Sequence, residues 1–473
     1  MKRLFLIIFF LFFLSKAFFP QPALAEDPFK EFQKKVFVFK APNGLRVIFY
    51  KRAVAPVFTG YTAVGVGGID EKPGSTGIAH LLEHIAFKGT KTVGKKNYKK
   101  EKKLLKALEK LMKTHPTSPQ VKEIRAKLSK LWLPEEFTKI YKEAGAVGLN
   151  ATTSADRTSY FVSLPKDAFK LWCYMESDRI INPVMRQFYK EREVVREERR
   201  MRYEDSPDGK LWERLKQVAF LAHPYRLPVI GYDEDIRKLQ ASQLKAFQKK
   251  YYKASNIVMA LVGDLSKEEI KECINTYLIK IPEGTRPKRD YIKEPEQNGE
   301  RVFTLNLFAK PELVIAYKRM PYPHPDDAAF TVLVDMLSGG ASSWLYEELV
   351  NKEKVATKIS YAEGPGYLGK TLAMFWITPA SSSNNSPFNL LKRFDKALLK
   401  FRKEGITKER LKRSITRTSV DYIKQLKSNQ GLAQLLAETE LLYGGWQEIV
   451  NSALNLKKVT LSDVKRVFDK YLI

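Results

Sequence analysis

The chain has 473 residues, with 82 basic and 53 acidic side chains and a formal charge of +29 at pH 7. Hydrophobic residues make up 44% and aromatic residues 12%, which excludes a disordered chain, and the length exceeds one ordinary core and suits two domains of about 200 residues. Two cysteines exclude a fold built on disulfides.

Lys2 and Arg3 precede an apolar run, Leu4–Leu14, and Ala23-Leu24-Ala25 is a small-x-small site. This pattern predicts a signal peptide over residues 1–25, cleaved after Ala25, and delivery to the periplasm or beyond. Eleven apolar residues are short for a membrane span, so no transmembrane segment is expected after cleavage. The removed segment carries three basic residues and no acidic one, which leaves +26 on the remainder. That charge reads most simply as a lysine-rich solvated surface. A sharper reading is attraction to anionic lipids or acidic polypeptides. Nucleic acid is not expected, because export argues against it and no nucleic-acid-binding motif is present.

"KVFVFKAPNGLRVIFYKR" (35–52) alternates on either side of Asn43-Gly44 and predicts a hairpin. "VFTGYTAVGVGG" (57–68) predicts a strand ending in glycines. A helix follows over "GIAHLLEHIAFK", with Ser75 or Thr76 as N-cap and Gly89 just past its end. Residues 97–143 form a basic region that reads as an inserted helical hairpin, broken at "THPTSP". "GLNATTSADRTSYFVSLP" (148–165) returns to strand character. Helices are then expected over about 168–181 and 184–203, a loop over 222–231, and a strand over 256–265. A bridge between Cys173 and Cys273 is possible, but both fall at apolar helix positions, where simple packing is the commoner outcome.

The proline- and charge-rich stretch 282–300 is the expected linker. It separates a domain over 33–281 from a second over 301–473, and each half runs from strands into helices. The predicted class is α+β, with two related domains.

Five histidines are present, and two of them stand in H-x-x-E-H: His80, Glu83 and His84. On a helical wheel, His80, Glu83, His84 and Phe87 gather within about 100°, while Ile78, Leu81, Leu82, Ile85 and Ala86 occupy the other face. The core-facing side is complete without the histidines. Two imidazoles one turn apart can share a zinc ion, and a flanking carboxylate can take a proton from water at that ion. Such a site needs a third ligand. In "VMRQFYKEREVVREERRM" (184–201), Glu191 and Glu198 fall in the apolar stripe with Val184, Phe188 and Val195, where an unpaired carboxylate is costly. Glu193 and Glu197 fall on the opposite side, among arginines.

In this order, "HLLEHIAFKGT", "LNATTSADRTSYF", "EREVVREE", "HPYRLPVIG" and "LVGDL", with a looser "LSGGASSWLYEEL", the chain resembles the pitrilysin/insulinase zinc peptidases, which include the mitochondrial processing peptidases. The resemblance implies one zinc per chain held by His80, His84 and Glu198, with Glu83 as general base and Glu191 supporting the site. It implies that Asn150 and Ala151 lie on an edge strand to which peptide adds as a further strand. The implied architecture is two homologous α+β domains facing each other around a chamber that admits peptides or unfolded polypeptides. The resemblance breaks in the second half. An arginine and a tyrosine that clamp substrate in the family correspond to Val350 and Thr357, of which valine has no donor and threonine is short. This implies a metal-free homologous partner subunit that supplies the missing pair. The alternative is a non-catalytic binding or scaffold subunit of the same fold.

Overall fold

The computed structural model describes residues 28–381 and 386–473, so the expected signal peptide lies outside the described residues. After a short helix, α1 (Pro28–Lys34), six strands form the first sheet: β1 (Val36–Lys40), β2 (Arg46–Lys51), β3 (Val57–Val64), β4 (Val147–Thr153), β5 (Thr158–Pro165) and β6 (Ile257–Gly263). Their spatial order is β1-β2-β6-β3-β5-β4. β2 and β6 run parallel and the other pairs antiparallel, so the sheet is mixed. Helices lie between and around these strands, as the α+β expectation requires.

β6 is apolar and buried at every position, which means that both of its faces are covered. Alternate residues explain how. Val47, Phe49, Met259 and Leu261 enter the core shared with the helices of the first half. Ile48, Tyr61, Ala63, Val258, Ala260 and Val262 meet Leu432, Ala433, Leu436 and Ala437 of the helix Asn429–Leu442, which belongs to the second half. Polar pairs pin that helix. Tyr61 donates to Glu438 at 2.7 Å, Arg157 lies 2.6 Å from the same carboxylate, and Arg46 pairs with Glu440 at 2.8 Å.

The second sheet has three antiparallel strands, β7 (Leu313–Arg319), β8 (Ala356–Gly364) and β9 (Thr371–Pro379), ordered β7-β9-β8. Between β6 and β7, residues 282–312 form no helix or strand, so the irregular stretch contains the expected linker, 282–300, and runs beyond it. They are nevertheless tied down. Glu294 accepts the backbone N–H groups of Leu221, Ala222 and His223 at 2.9–3.0 Å, and Arg289 pairs with Asp70 at 3.1 Å. Asp156 accepts from Tyr225 Oη at 2.8 Å and from the backbone N–H of Tyr367 at 2.7 Å, which joins the halves directly.

The H-x-x-E-H segment forms α2 (Ile78–Ile85), but its start is not capped by Ser75 or Thr76. Glu71 accepts from Gly77 N–H (2.7 Å) and Ala79 N–H (2.8 Å), and the Thr76 hydroxyl donates to Asp235 instead. A carboxylate offers two acceptor oxygens, one for each N–H, where a hydroxyl offers a single oxygen. Gly77 has φ +86°, and a Cβ there would meet Ile230 O at 2.4 Å, so the turn into α2 requires glycine.

The insert comprises α3 (Tyr98–Thr114), α4 (Pro119–Leu131) and a third short helix, α5 (Glu136–Glu143). α6 (Phe169–Ile181) follows β5, then α7 (Phe188–Arg199), which is shorter than the expected 184–203. Gln187 has φ +59° and Arg186 turns its guanidinium inward, so the helix cannot start earlier; after Arg199 the chain continues as one π turn, Arg200–Glu204. Cys173 and Cys273 form a disulfide, contrary to the packing expectation. Both lie on buried faces of helices that meet, so the apolar placement that suggested packing also brings the sulfurs together.

α8 (Pro207–Ala219) carries Lys216, 1% exposed, whose ammonium donates to Leu227 O at 3.2 Å. Burial lowers its pKa to about 8, against the pull of Glu213. Unfolded lysine titrates near 10.4, so between these values the folded chain binds fewer protons and stability rises with pH. Lys216→Met should therefore stabilise the protein at pH 7 by about 1–3 kcal/mol, and the gain should vanish towards pH 10 in urea-midpoint measurements.

Candidate metal centre

α2 separates its faces as its sequence requires. Ile78, Leu81, Leu82 and Ile85 are buried, and on the other side the His80 and His84 rings lie 4.8 Å apart. α7 approaches that side and brings Glu198. One ligating atom from each of His80, His84 and Glu198 lies within 4.8 Å of the others, the one such cluster among the described residues. Glu198 Oε2 is 3.4 Å from His84 Nε2 and 3.8 Å from His80 Nε2. Zinc bonds of about 2.0–2.1 Å in tetrahedral geometry place ligand atoms about 3.3–3.4 Å apart. The three side chains therefore fit a shared zinc ion with small rotamer adjustments.

Each carboxylate has its second oxygen held by a cation. Glu191 puts Oε2 3.6 Å from His84 Nδ1 and Oε1 3.1 Å from Lys88 Nζ. Glu198 Oε1 lies 3.1 Å from Arg202. A carboxylate behind a ligating imidazole fixes its tautomer and orientation. His80 has no such support, since its buried Nδ1 finds no hydrogen-bond partner among the described residues. Glu191 is 4% exposed, whereas Glu193 and Glu197 have side chains about half exposed and pair with Arg196 and Arg200.

The local electrostatics follow from burial and these carboxylates. Burial, with His84 adding to it, lowers the pKa of His80 to about 4. Burial acts the same way on His84, but hydrogen bonds to Glu191 and Glu198 outweigh it and raise the value to about 9. Glu83 is pushed up by burial, partly countered by a hydrogen bond from Thr153 and by the charge of His84.

Thr153 ends β4, so that strand runs past Glu83. Among the described residues β4 is terminal in the sheet, hydrogen-bonded to β5 on one side only. Ala151 is buried on it, while Asn150 is exposed and accepts the Ala151 N–H at 2.8 Å. The structure thus brings His80, Glu83, His84, Glu191 and Glu198 together, with Asn150 and Ala151 on the neighbouring edge strand. Val350 packs against the second core, and Thr357, exposed on β8, donates to Thr378 O at 3.3 Å.

Sequence reasoning missed three supports. Two of them are Thr153 and Lys88, neither of which carries a local signal of its role. The third is Arg186, 1% exposed, which pairs with Glu101 of α3 through two contacts of 2.6 and 2.8 Å. Its guanidinium also donates to the carbonyls of Lys88, Thr90 and Val93 at 2.8–3.1 Å, just after the histidine helix. Trp132 of the insert adds a 2.7 Å bond to Glu101.

"Insulinase (Peptidase family M16)" matches residues 48–111, which contain H-x-x-E-H, and "Peptidase M16 inactive domain" matches residues 238–418. Zinc protease PqqE of Helicobacter pylori is 29% identical over 440 residues, 91% of this chain and 88% of that protein. The chain belongs to the pitrilysin/insulinase family. Among solved structures of this fold, a protease from H. pylori superposes with a TM-score of 0.78 at 27% identity, covering 93% of this chain and 97% of that one. The periplasmic protease PqqL of Escherichia coli gives a TM-score of 0.68 at 16% identity, covering 92% of this chain but 46% of that one. The two-domain α+β architecture is that of the family.

Proposed function

We propose that this pitrilysin/insulinase-family chain is an exported zinc endopeptidase acting on peptides and unfolded polypeptides. The observation that carries the reading is the convergence of His80, His84 and Glu198 beside Glu83, next to a free strand edge. The zinc proteases among its relatives support it.

His80, His84 and Glu198 would hold the ion, and Glu191 would orient His84. A bound zinc supplies Lewis acidity that makes water an effective nucleophile near neutral pH. Glu83 has Oε2 held by Thr153, leaving Oε1 to take the proton of the attacking water and pass it to the leaving amine. The open edge of β4 at Asn150 and Ala151 offers main-chain groups to an extended substrate, which presents its peptide bonds to the site in a fixed register. Glu198→Ala should weaken zinc binding by at least about 100-fold, measured by chelator competition, while Glu193→Ala leaves it unchanged. Equal effects of the two would contradict the assignment.

Neither Val350 nor Thr357 is suited to stabilise an oxyanion, so the reading includes a metal-free homologous subunit that supplies an arginine and a tyrosine. The coverage of under half of PqqL by this chain supports a paired arrangement. Peptide turnover by the isolated chain should rise at least about tenfold when that subunit is added. Strong turnover alone, unchanged on addition, would contradict it. The basic n-region, apolar run and small-x-small site support export, and the Cys173–Cys273 disulfide is in keeping with an oxidising compartment.

The inactive-domain match favours a second reading, a non-catalytic subunit of the same fold. That match covers 238–418, however, whereas the metal cluster lies on residues 80–198.

A further inference from the structure

α3 presents one face made only of lysine. On the helical wheel Lys99, Lys102, Lys103, Lys106, Lys110 and Lys113 fall within an arc of about 100°, along about 21 Å of helix. All six are exposed. Lys113 lies 3.4 Å from Glu109, and the other five take part in no ion pair among the described residues. The opposite face is fixed to the body. Leu108 is 4% exposed, Leu104, Leu105, Leu111 and Met112 pack on the first core, and Glu101 is locked to Arg186. The stripe therefore points outward in one direction and cannot turn its charges away.

We propose that this stripe docks the protein onto an anionic lipid bilayer. Three features favour a bilayer over other anionic partners. The face is the exposed outer side of a single helix, whereas a peptide chain is held by a groove or a sheet edge. It contains lysine alone, a hydrated point charge suited to diffuse attraction, while arginine fills the ion pairs of residues 192–202. No aromatic side chain lies within the arc to stack a nucleotide base. A lysine close to an anionic leaflet gives roughly a fivefold gain in partitioning, and the gain falls as salt screens it. The inference is independent of the metal centre and goes beyond the peptidase reading.

The test is co-sedimentation of the full chain with vesicles containing about 30% phosphatidylglycerol in phosphatidylcholine, and with phosphatidylcholine alone, at two salt concentrations. A variant with Lys99, Lys102, Lys103, Lys106 and Lys110 changed to glutamine is compared with one carrying the same change at Lys392, Lys396, Lys403, Lys408 and Lys412, exposed lysines of the second half. Both variants are first checked for folding by circular dichroism. The expected result is at least a tenfold loss for the stripe variant, under twofold for the control, and no binding to phosphatidylcholine. Equal losses would overturn the proposal, because diffuse charge would then explain binding. Tighter stripe-dependent binding to polyglutamate or duplex DNA than to the vesicles would also overturn it, in favour of a polymer partner.

Discussion

Glu83→Gln is expected to hold zinc as the parent does and to lose a factor of about 10²–10⁴ in peptide hydrolysis. The carboxamide keeps an oxygen for the Thr153 hydroxyl, so the side chain should stay where it is, and the residue is not a metal ligand. What it loses is the capacity to accept a proton. Zinc content by mass spectrometry and turnover of a fluorogenic peptide, both measured with the partner subunit present, separate the two roles. Retained cleavage would remove Glu83 as the base. Loss of the metal would show instead that Glu83 helps to hold it.

The second large effect is expected from Glu101→Gln. Glu101 is 0% exposed and both its oxygens face the guanidinium of Arg186, itself 1% exposed. The amide keeps one acceptor and turns an N–H₂ group towards the cation. An uncompensated buried charge costs about 3–5 kcal/mol, which should appear as a lower urea midpoint. Arg186 also ties the carbonyls of Lys88, Thr90 and Val93, and Lys88 holds Glu191 behind His84. Zinc affinity should therefore fall together with stability. An unchanged midpoint would show that the pair is not a stabilising element.

These two residues also mark what could be read from sequence. The split faces of α2 follow from a period of 3.6, so the histidines, Glu83 and the core side chains were legible from spacing alone. The same wheel separated Glu191 and Glu198 from Glu193 and Glu197, because burial and charge conflict only at the first two. Contacts between distant segments were not legible. Thr153 reaches Glu83 only because β4 runs past α2, and Arg186 meets Glu101 across 85 residues. Glu71 takes over the helix cap from a threonine that local rules prefer, since Thr76 is engaged by Asp235. The segment 256–265 was legible as a strand, but not that one of its faces is covered by a helix from the other half, Asn429–Leu442. The cysteines show the same limit, because burial is periodic and pairing is not.

The claim on which the account rests is that three side chains from two helices grip one metal ion. A crystal grown with zinc and measured across the zinc absorption edge tests it directly. The predicted result is one anomalous peak per chain, about 2.0–2.2 Å from nitrogens of His80 and His84 and from an oxygen of Glu198. A peak that Glu198 does not touch, or no peak at that position, would contradict it.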